Sequence, residues 1–111
     1  MSKARGATFS GRTGEAYTFE VFGKNARFRD VPAVYVFACR EPRASGGVWY
    51  RLLYVGQTEH LGPRIRDCDK WPCVRQAGCN TICVLPEASA PRRLAIEADL
   101  RDAHETLCND Q

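Results

Sequence analysis

The sequence predicts an α+β protein, with a small, mostly antiparallel three-stranded central sheet flanked by helices and an extra N-terminal β-hairpin. Three observations support this class. Residues 33–39 are almost all apolar and rich in β-branched and aromatic side chains, which is typical of a central strand. Residues 48–55 have a similar composition and follow a short glycine-containing loop, so the two strands should be antiparallel. Further along the chain, Ile96 and Leu100 begin an apolar stripe at helical spacing.

Size and composition indicate a single globular domain. The chain has 111 residues, and we divide it into a hairpin extension at 1–31 and a core at 32–109. Its hydrophobic share of 44% and charged share of 26% are ordinary for a soluble protein. No apolar run approaches the roughly 18 residues needed to cross a bilayer, and the basic first residues lack the apolar segment of a signal peptide. We therefore expect a cytoplasmic protein without membrane contact.

The first predicted elements are β-strands. Residues 8–10 and 16–22 flank a turn from Gly11 to Gly14, which is typical of a hairpin. In the second of these segments, one face carries the alternate side chains Tyr17, Phe19 and Val21. A turn and a charged connector, residues 23–32, then lead into the strand at 33–39.

Two short helices are expected after the strand at 48–55. Thr58 can cap the first of them, with Pro63 within its early turns. The Trp71-Pro72 pair should end that helix, and a second short helix is expected from Cys73 to Ala77.

A third core strand and a long helix complete the predicted fold. The strand covers residues 80–85, and Ser89 is placed to cap a helix at about 90–105. Glu97 lies about 100° around that helix from Ile96, at the edge of its apolar stripe. The stripe that should face the sheet consists of Ile96, Leu100, Ala103 and Leu107.

Five segments bring together side chains suited to phosphate chemistry. They are Ala33-Val34-Tyr35, Tyr54-Val55-Gly56, the turn from Gln57 to Arg64, Ile96-Glu97-Ala98 and Leu107-Cys108-Asn109. In this order they resemble the motifs of the GIY-YIG nuclease family, and the resemblance covers residues 32–109. Ala33 stands in place of the family's first glycine, and Val34 and Val55 replace isoleucines. Cys68 occupies a position where many relatives carry histidine.

The resemblance implies a metal-dependent endonuclease that hydrolyses DNA phosphodiester bonds. Tyr35 would be the general base, and Tyr54 would orient the water or the phosphate. Arg64 is permanently charged and planar, so it can hold a phosphate through two parallel hydrogen bonds. Glu97 would be the metal ligand, because its carboxylate is the hard oxygen donor that Mg²⁺ or Mn²⁺ prefers. A free tyrosine has a pKa of about 10, so Arg64 and the metal must favour the Tyr35 anion.

Further residues are expected to contact the DNA. Those assigned to substrate binding are Gly56, Gln57, Thr58, Arg66 and Asn109, although Asn109 suits a role in tying down the helix end beside the site. Basic side chains that could follow a DNA backbone surround the site: Arg40, Arg43, Arg51, Arg64, Arg66, Lys70 and Arg75. A double-strand cut by one small site would require a homodimer or sequential nicking.

Six cysteines, at 39, 68, 73, 79, 83 and 108, raise the questions of oxidation and of zinc. Without an export signal we expect reduced, buried thiols. A zinc site built from the last five of them, with His104 close to Cys108, is the alternative. No C-x₂-C pair is present, however, and such pairs are typical of structural zinc sites.

Each candidate residue also has a purely structural interpretation. Strands favour tyrosine, and Glu97 among arginines can form surface ion pairs worth about 0–1 kcal/mol each. The net charge of +3 permits a nucleic-acid partner without demanding one. Two alternatives to the endonuclease therefore stay open. One is a non-catalytic nucleic-acid-binding or protein-docking module on the same fold, and the other is a zinc-stabilised interaction domain.

Overall fold

The computed structural model describes residues 5–109. They form the strands β1 (Arg5–Ser10), β2 (Ala16–Gly23), β3 (Ala33–Pro42), β4 (Val48–Thr58) and β5 (Thr81–Pro86), and the helices α1 (Leu61–Arg66), α2 (Trp71–Gln76) and α3 (Ala90–Ala103). All the strand pairs are antiparallel and make one curled sheet in the order β1-β2-β5-β3-β4.

The predicted three-stranded sheet is wrong, because the N-terminal hairpin belongs to the main sheet. Val21 of β2 pairs with Cys83 of β5, and Cys83 also pairs with Val36 of β3 on its other side. The first four residues of β5 are buried. Buried backbone groups need hydrogen-bond partners, so this strand requires a neighbour on both edges, and β2 supplies the second one.

The pairing of β3 with β4 sets the positions of the two motif tyrosines. Tyr35 lies opposite Gly56 and Phe37 lies opposite Tyr54. Directly opposed residues of an antiparallel pair project from the same face, so Tyr35 and Tyr54 share one face of the sheet. The register shifts after Phe37, which leaves Leu53 as an extra residue in β4, a β-bulge just before Tyr54.

The short helices differ from the prediction at their starts. The residue preceding α1 is His60, and Thr58 instead ends β4, where its hydroxyl accepts a hydrogen bond of 2.9 Å from the His60 N–H. The Trp71-Pro72 pair begins α2 instead of ending α1. Proline is favoured in a first helical turn because the N–H groups there have no intrahelical partner.

The long helix α3 is capped by Ser89 as predicted, with the Ser89 hydroxyl accepting from the Arg92 N–H at 3.2 Å. Its predicted apolar stripe is only half right. Ile96 and Leu100 are buried, but the helix ends at Ala103, which is exposed, and Leu107 beyond it is 61% exposed.

The sheet buries a core on each face. On one face, α1, α2 and the C-terminal turn cover a cluster that includes Tyr35, Phe37 and Leu53. On the other face, Ile96 and Leu100 of α3 pack with side chains of all five strands. Each helix layer therefore has its own apolar cluster, and the candidate tyrosines belong to the α1–α2 side. None of the described helices is long and apolar enough to cross a membrane.

A buried carboxylate joins α3 to the N-terminal hairpin. Asp99 accepts hydrogen bonds from the Thr13 N–H at 3.0 Å, the Thr13 hydroxyl at 2.8 Å and the Tyr17 hydroxyl at 2.7 Å. These bonds lower the pKa of Asp99, and burial together with the bond to Asp99 raises the pKa of Tyr17 to about 12. A Cβ on Gly11 would lie 1.9 Å from an Asp99 oxygen, so only glycine leaves room for this carboxylate.

The expectation of reduced thiols is wrong for two of the six cysteines. Cys73 of α2 and Cys108 of the C-terminal turn form a disulfide, with Cα atoms 5.9 Å apart. They are 35 residues apart in sequence, and only the folding of both segments onto the same core cluster brings them together. The remaining four, Cys39, Cys68, Cys79 and Cys83, are free and buried as expected.

Candidate active site

The two motif tyrosines pack against each other on the α1–α2 face of the sheet. Their ring centroids are 6.0 Å apart, and Phe37 contacts both rings. Tyr35 is 1% exposed, whereas Tyr54 is only half-buried. Tyr54 is therefore the more accessible of the two phenols.

Gly56 makes this close packing possible. A Cβ at position 56 would lie 2.6 Å from both the Cζ and the hydroxyl oxygen of Tyr35, and 2.8 Å from Cε2 of Tyr54. Because those distances are too short for real contacts, any side chain here would push the two rings apart. The structure thus places Gly56 beneath both tyrosines, within β4 and not in a turn.

Burial holds both phenols in their neutral form. It is the main cause of the raised pKa of Tyr35 and also of the raised pKa of Tyr54. The proximity of the two hydroxyls further raises the pKa of Tyr35 and lowers that of Tyr54. Tyr54, the more exposed of the two phenols, is therefore the one that loses its proton more readily.

Arg64 is on α1, close enough to both tyrosines to lower their pKa values. Its side chain is exposed and borders a surface pocket of about 300 Å³ that Thr58, His60, Pro63 and Asp67 also line. Within residues 5–109 its guanidinium makes no hydrogen bond or ion pair with another side chain. It is therefore available to an anionic ligand.

Cys68 lies just after α1, in the same core cluster as Tyr35. It is 5% exposed, and burial is the main cause of the raised pKa of its thiol. If the Cys68 thiol lost its proton, the negative charge would raise the pKa of both Tyr35 and Tyr54. Cys68 is therefore a neighbour of both tyrosines. At neutral pH the site therefore contains a protonated thiol at this position.

Glu97 approaches the site from α3, on the other side of the sheet. Its carboxylate raises the pKa of Tyr54, which places the two groups near each other across the β4 edge. Glu97 is half-buried, and desolvation raises its pKa while Arg101 lowers it. Tyr54 is thus the residue on which both Arg64, from one face of the sheet, and Glu97, from the other, act, with Tyr35 packed beside it.

The polar residues at the end of β4 and on α1 form bonds to other groups of the protein. The side-chain oxygen of Gln57 accepts a hydrogen bond of 3.0 Å from Nε of Arg93, and Thr58 holds the backbone of His60. Arg66 is exposed and paired with Asp67 at 3.2 Å. Of the residues assigned to substrate binding, Gln57 and Thr58 therefore position the turn that leads to Arg64.

Asn109 pairs with the edge of β4 beside Tyr54. Its side-chain oxygen accepts from the Val55 N–H and its side-chain nitrogen donates to the Val55 carbonyl, both at 2.9 Å. The Cys108 N–H donates to the Leu53 carbonyl at 2.8 Å. The amide therefore anchors the C-terminal turn next to the site, which is the alternative role that its position suggested.

Arg93 is a buried residue of this region whose structural role the sequence did not reveal. It is 2% exposed and donates to Gln57 and to the carbonyls of Glu87 and Ala88, each at 3.0 Å. Arg93 and Glu97 are one helical turn apart on α3. Arginine is rarely buried unless it is paired. The carbonyl groups that pair with Arg93 come together only in the folded protein, so the sequence alone does not show that this arginine is buried.

The donor set at Glu97 suits Mg²⁺ or Mn²⁺ better than zinc. These hard cations bind through one or two carboxylates and keep most of their waters, which a single carboxylate beside an exposed arginine allows. Over residues 5–109, no three side chains from His, Cys, Asp and Glu come together as a metal-binding group. The zinc-stabilised alternative therefore gains no support.

No protein-family model, no curated protein and no solved structure matches this chain.

Proposed function

We propose that the protein is a metal-dependent endonuclease that hydrolyses DNA phosphodiester bonds. The observation that carries this proposal is that Arg64 and Glu97 both lie near enough to Tyr54 to change its pKa, with Tyr35 packed beside it. Phosphodiester hydrolysis requires an activated water and stabilisation of charge on the phosphoryl oxygens. A phenol pair, an unpaired guanidinium and a carboxylate supply these functions within one neighbourhood.

Arg64 is the phosphate-binding group in this proposal. Its exposed guanidinium can donate two parallel hydrogen bonds to the non-bridging oxygens of the phosphate, which strengthen as negative charge builds up there. The water oxygen attacks phosphorus as one of its protons passes to a base. The bond from phosphorus to the leaving oxygen then breaks, and that oxygen takes up a proton.

Tyr54 is the better candidate for the base than Tyr35. It is more exposed, and the neighbouring Tyr35 lowers the pKa of Tyr54 whereas Tyr54 raises that of Tyr35. Tyr35 then acts as a positioning residue for the phenolate. The family resemblance assigns these roles the other way round, so the paired variants Tyr35→Phe and Tyr54→Phe separate the two schemes.

Glu97 would hold a divalent cation. When bound, such an ion neutralises charge on the phosphate and lowers the pKa of a coordinated water. Binding requires an ionised carboxylate, and burial raises the pKa of Glu97. As the solution is acidified, metal-dependent cleavage should therefore be lost at a higher pH than it would be with a glutamate of ordinary pKa.

Nicking of supercoiled plasmid in Mg²⁺ or Mn²⁺ tests the proposal. We expect wild-type protein to nick the plasmid, and Arg64→Ala and Glu97→Ala each to lose roughly 100-fold or more in rate, as removal of one transition-state donor does. Exposed residues away from the site, Arg12→Ala and Glu105→Ala, are the matched controls. If wild type and both site variants nick equally, the assigned site is wrong.

The second candidate function is a nucleic-acid-binding module without catalysis. The specific observation in its favour is that burial keeps both phenols protonated, so the site can hold a phosphate without activating water. Tight DNA binding that depends on Arg64 but produces no nicks with either metal would select this candidate.

A further inference from the structure

A second basic site lies beside the two short helices, next to the core that holds the paired tyrosines. It is a groove of about 580 Å³ between the connector that follows β2 and the two short helices. Its walls include the cations Lys24, Arg27, Arg66 and Arg75 and the aromatic rings of Phe28 and Trp71. We name it the connector groove.

The charge of the connector groove suits a polyanion. Four cationic side chains line the groove with one carboxylate, Asp30, and Asp30 is already bound to His60 at 2.8 Å. Arg66 is paired with Asp67 at 3.2 Å, so the positive charge of the groove comes mainly from Lys24, Arg27 and Arg75. Lys24 and Arg27 come from the connector, whereas Arg66 and Arg75 come from α1 and α2. The excess of cations is therefore assembled by the fold and is not a run of charge in the sequence.

The aromatic wall indicates that the polyanion has exposed bases. The guanidinium of Arg75 lies 5.3 Å from the centre of the Trp71 ring, and both residues line the groove. Guanidinium planes and aromatic rings are the surfaces on which unpaired bases stack. In a duplex the bases are already stacked on one another, so this wall would contribute nothing to duplex binding.

The size of the connector groove matches a short length of one strand. It runs beside α1, whose six residues span about 9 Å. Since the rise is about 3.4 Å per nucleotide in a stacked duplex and larger in an extended single strand, this length holds on the order of one to three nucleotides. The volume is also within the range of about 300–1,000 Å³ that is usual for ligand sites.

The connector groove leads towards Arg64. Pro63 lines both this groove and the small pocket that Arg64 borders. A strand that leaves the groove over Pro63 therefore arrives at the proposed phosphate-binding side chain, with only the width of one helix between the two sites.

We infer that the connector groove binds single-stranded DNA, and that the protein acts on DNA with an unpaired segment beside the cut bond. The second half of this inference rests on the proposed endonuclease function. The first half does not, because binding in the groove needs neither Glu97 nor metal. Single-strand binding by the groove and the endonuclease function can therefore be rejected separately.

Fluorescence anisotropy with a labelled 12-nucleotide thymidine strand in EDTA tests the groove. The double variant Lys24→Gln/Arg27→Gln should bind about 10- to 30-fold more weakly near 0.1 M salt, and its log–log salt slope should fall by about 1.4, which is roughly 0.7 for each lost phosphate contact. The matched control, Arg12→Gln/Arg92→Gln, removes the same charge beside the N-terminal hairpin. It should change affinity less than about twofold, because its side chains do not line the groove.

Three results would overturn the inference: equal loss in both double variants, tighter binding of a 12-base-pair duplex than of the single strand, or tighter binding of a 12-nucleotide uridine strand. Melting curves for both double variants exclude unfolding as the cause of lost binding. If nicking is absent while the groove variants still lose single-strand binding, the endonuclease proposal fails and the groove stands. If nicking occurs and the groove variants bind normally, the groove alone is rejected.

Discussion

At the scale of single residues, the most constrained position in the candidate site is Gly56. Its missing side chain lets Tyr35 and Tyr54 pack together, since a Cβ there would come within 2.6 Å of the Tyr35 ring and hydroxyl. Gly56→Ala should therefore separate the two phenols, lower the free energy of unfolding by about 1–3 kcal/mol as overpacked cores do, and reduce plasmid nicking by at least 10-fold. Chemical denaturation and the nicking assay measure the two effects.

Gly23→Ala is the control for this prediction. Gly23 is also in a strand, but a Cβ there would meet no atom within 4 Å, so stability should change by only a few tenths of a kcal/mol. Unchanged nicking by Gly56→Ala would show that the tyrosine pair does not take part in cleavage.

Tyr17 gives a pH dependence that can be tested on stability. Its hydroxyl donates to the buried Asp99, and its pKa is raised to about 12. Because the folded state holds this proton more tightly than the unfolded state, the associated stability is fully present below pH 10 and is lost as the pH rises from 10 to about 12.

Urea denaturation between pH 9 and 12 measures this loss. The decrease in unfolding free energy should be smaller for Tyr17→Phe than for wild type, while Tyr50→Phe, which leaves the Asp99 contacts intact, should behave as wild type does. Identical slopes for wild type and Tyr17→Phe would contradict the role given to the Tyr17–Asp99 bond.

The sequence could indicate Tyr35, Tyr54, Arg64 and Glu97 as candidates because their segments resemble the motifs of one nuclease family, and their roles stay predictions. It could not indicate the partners of Gln57 or Asn109. A short polar side chain bonds to whichever backbone or charged group the fold brings near, and Arg93 and Val55 are distant in sequence from the residues that they bind.

At the scale of secondary-structure elements, the Cys73–Cys108 disulfide joins α2 to the C-terminal turn. Loop closure over 35 residues corresponds to about 3–4 kcal/mol in the chain-entropy account. The double variant Cys73→Ala/Cys108→Ala, or reduction of wild type, should therefore lower the unfolding free energy by roughly that amount.

Denaturation with and without dithiothreitol checks this prediction. The double variant should no longer respond to the reductant, and Cys83→Ala, whose thiol is free, should respond as wild type does. Equal stability of oxidised and reduced wild type would mean that the disulfide does not contribute to folding.

The helix boundaries show why sequence reasoning was more successful with α3 than with α1 and α2. Ser89, followed by a proline and an apolar pair one turn apart, gives α3 a clear start and a buried face. The two six-residue helices are too short for any periodicity. Their positions depend on contacts with the connector, such as the bond from the Gly62 N–H to the Arg29 carbonyl.

At the scale of the whole molecule, the N-terminal hairpin supplies two of the five strands of the sheet. Phe9, Tyr17 and Phe19 are buried in the core shared with α3, and β2 covers one edge of β5. A chain that starts at residue 24 should therefore fail to fold, because it loses this part of the core and exposes the backbone of a central strand.

Amide proton exchange and circular dichroism measure this effect, with the full chain as the reference. A truncated chain that unfolds cooperatively on heating would show that the residues after 23 fold without the hairpin. The sequence could not predict the joined sheet, because the pairing of β2 with β5 crosses about 60 residues and leaves no local signal.

The C-terminal turn limits how two copies of this protein can assemble. Strand β4 lies at the edge of the sheet, but beside Tyr54 that edge is already filled by Cys108 and by the side-chain amide of Asn109. A second copy could add a strand to this part of β4 only by displacing the C-terminal turn of the first copy. If two subunits cut both strands of a duplex, they would have to meet through a surface other than this part of β4, which would leave the face that carries the candidate site uncovered.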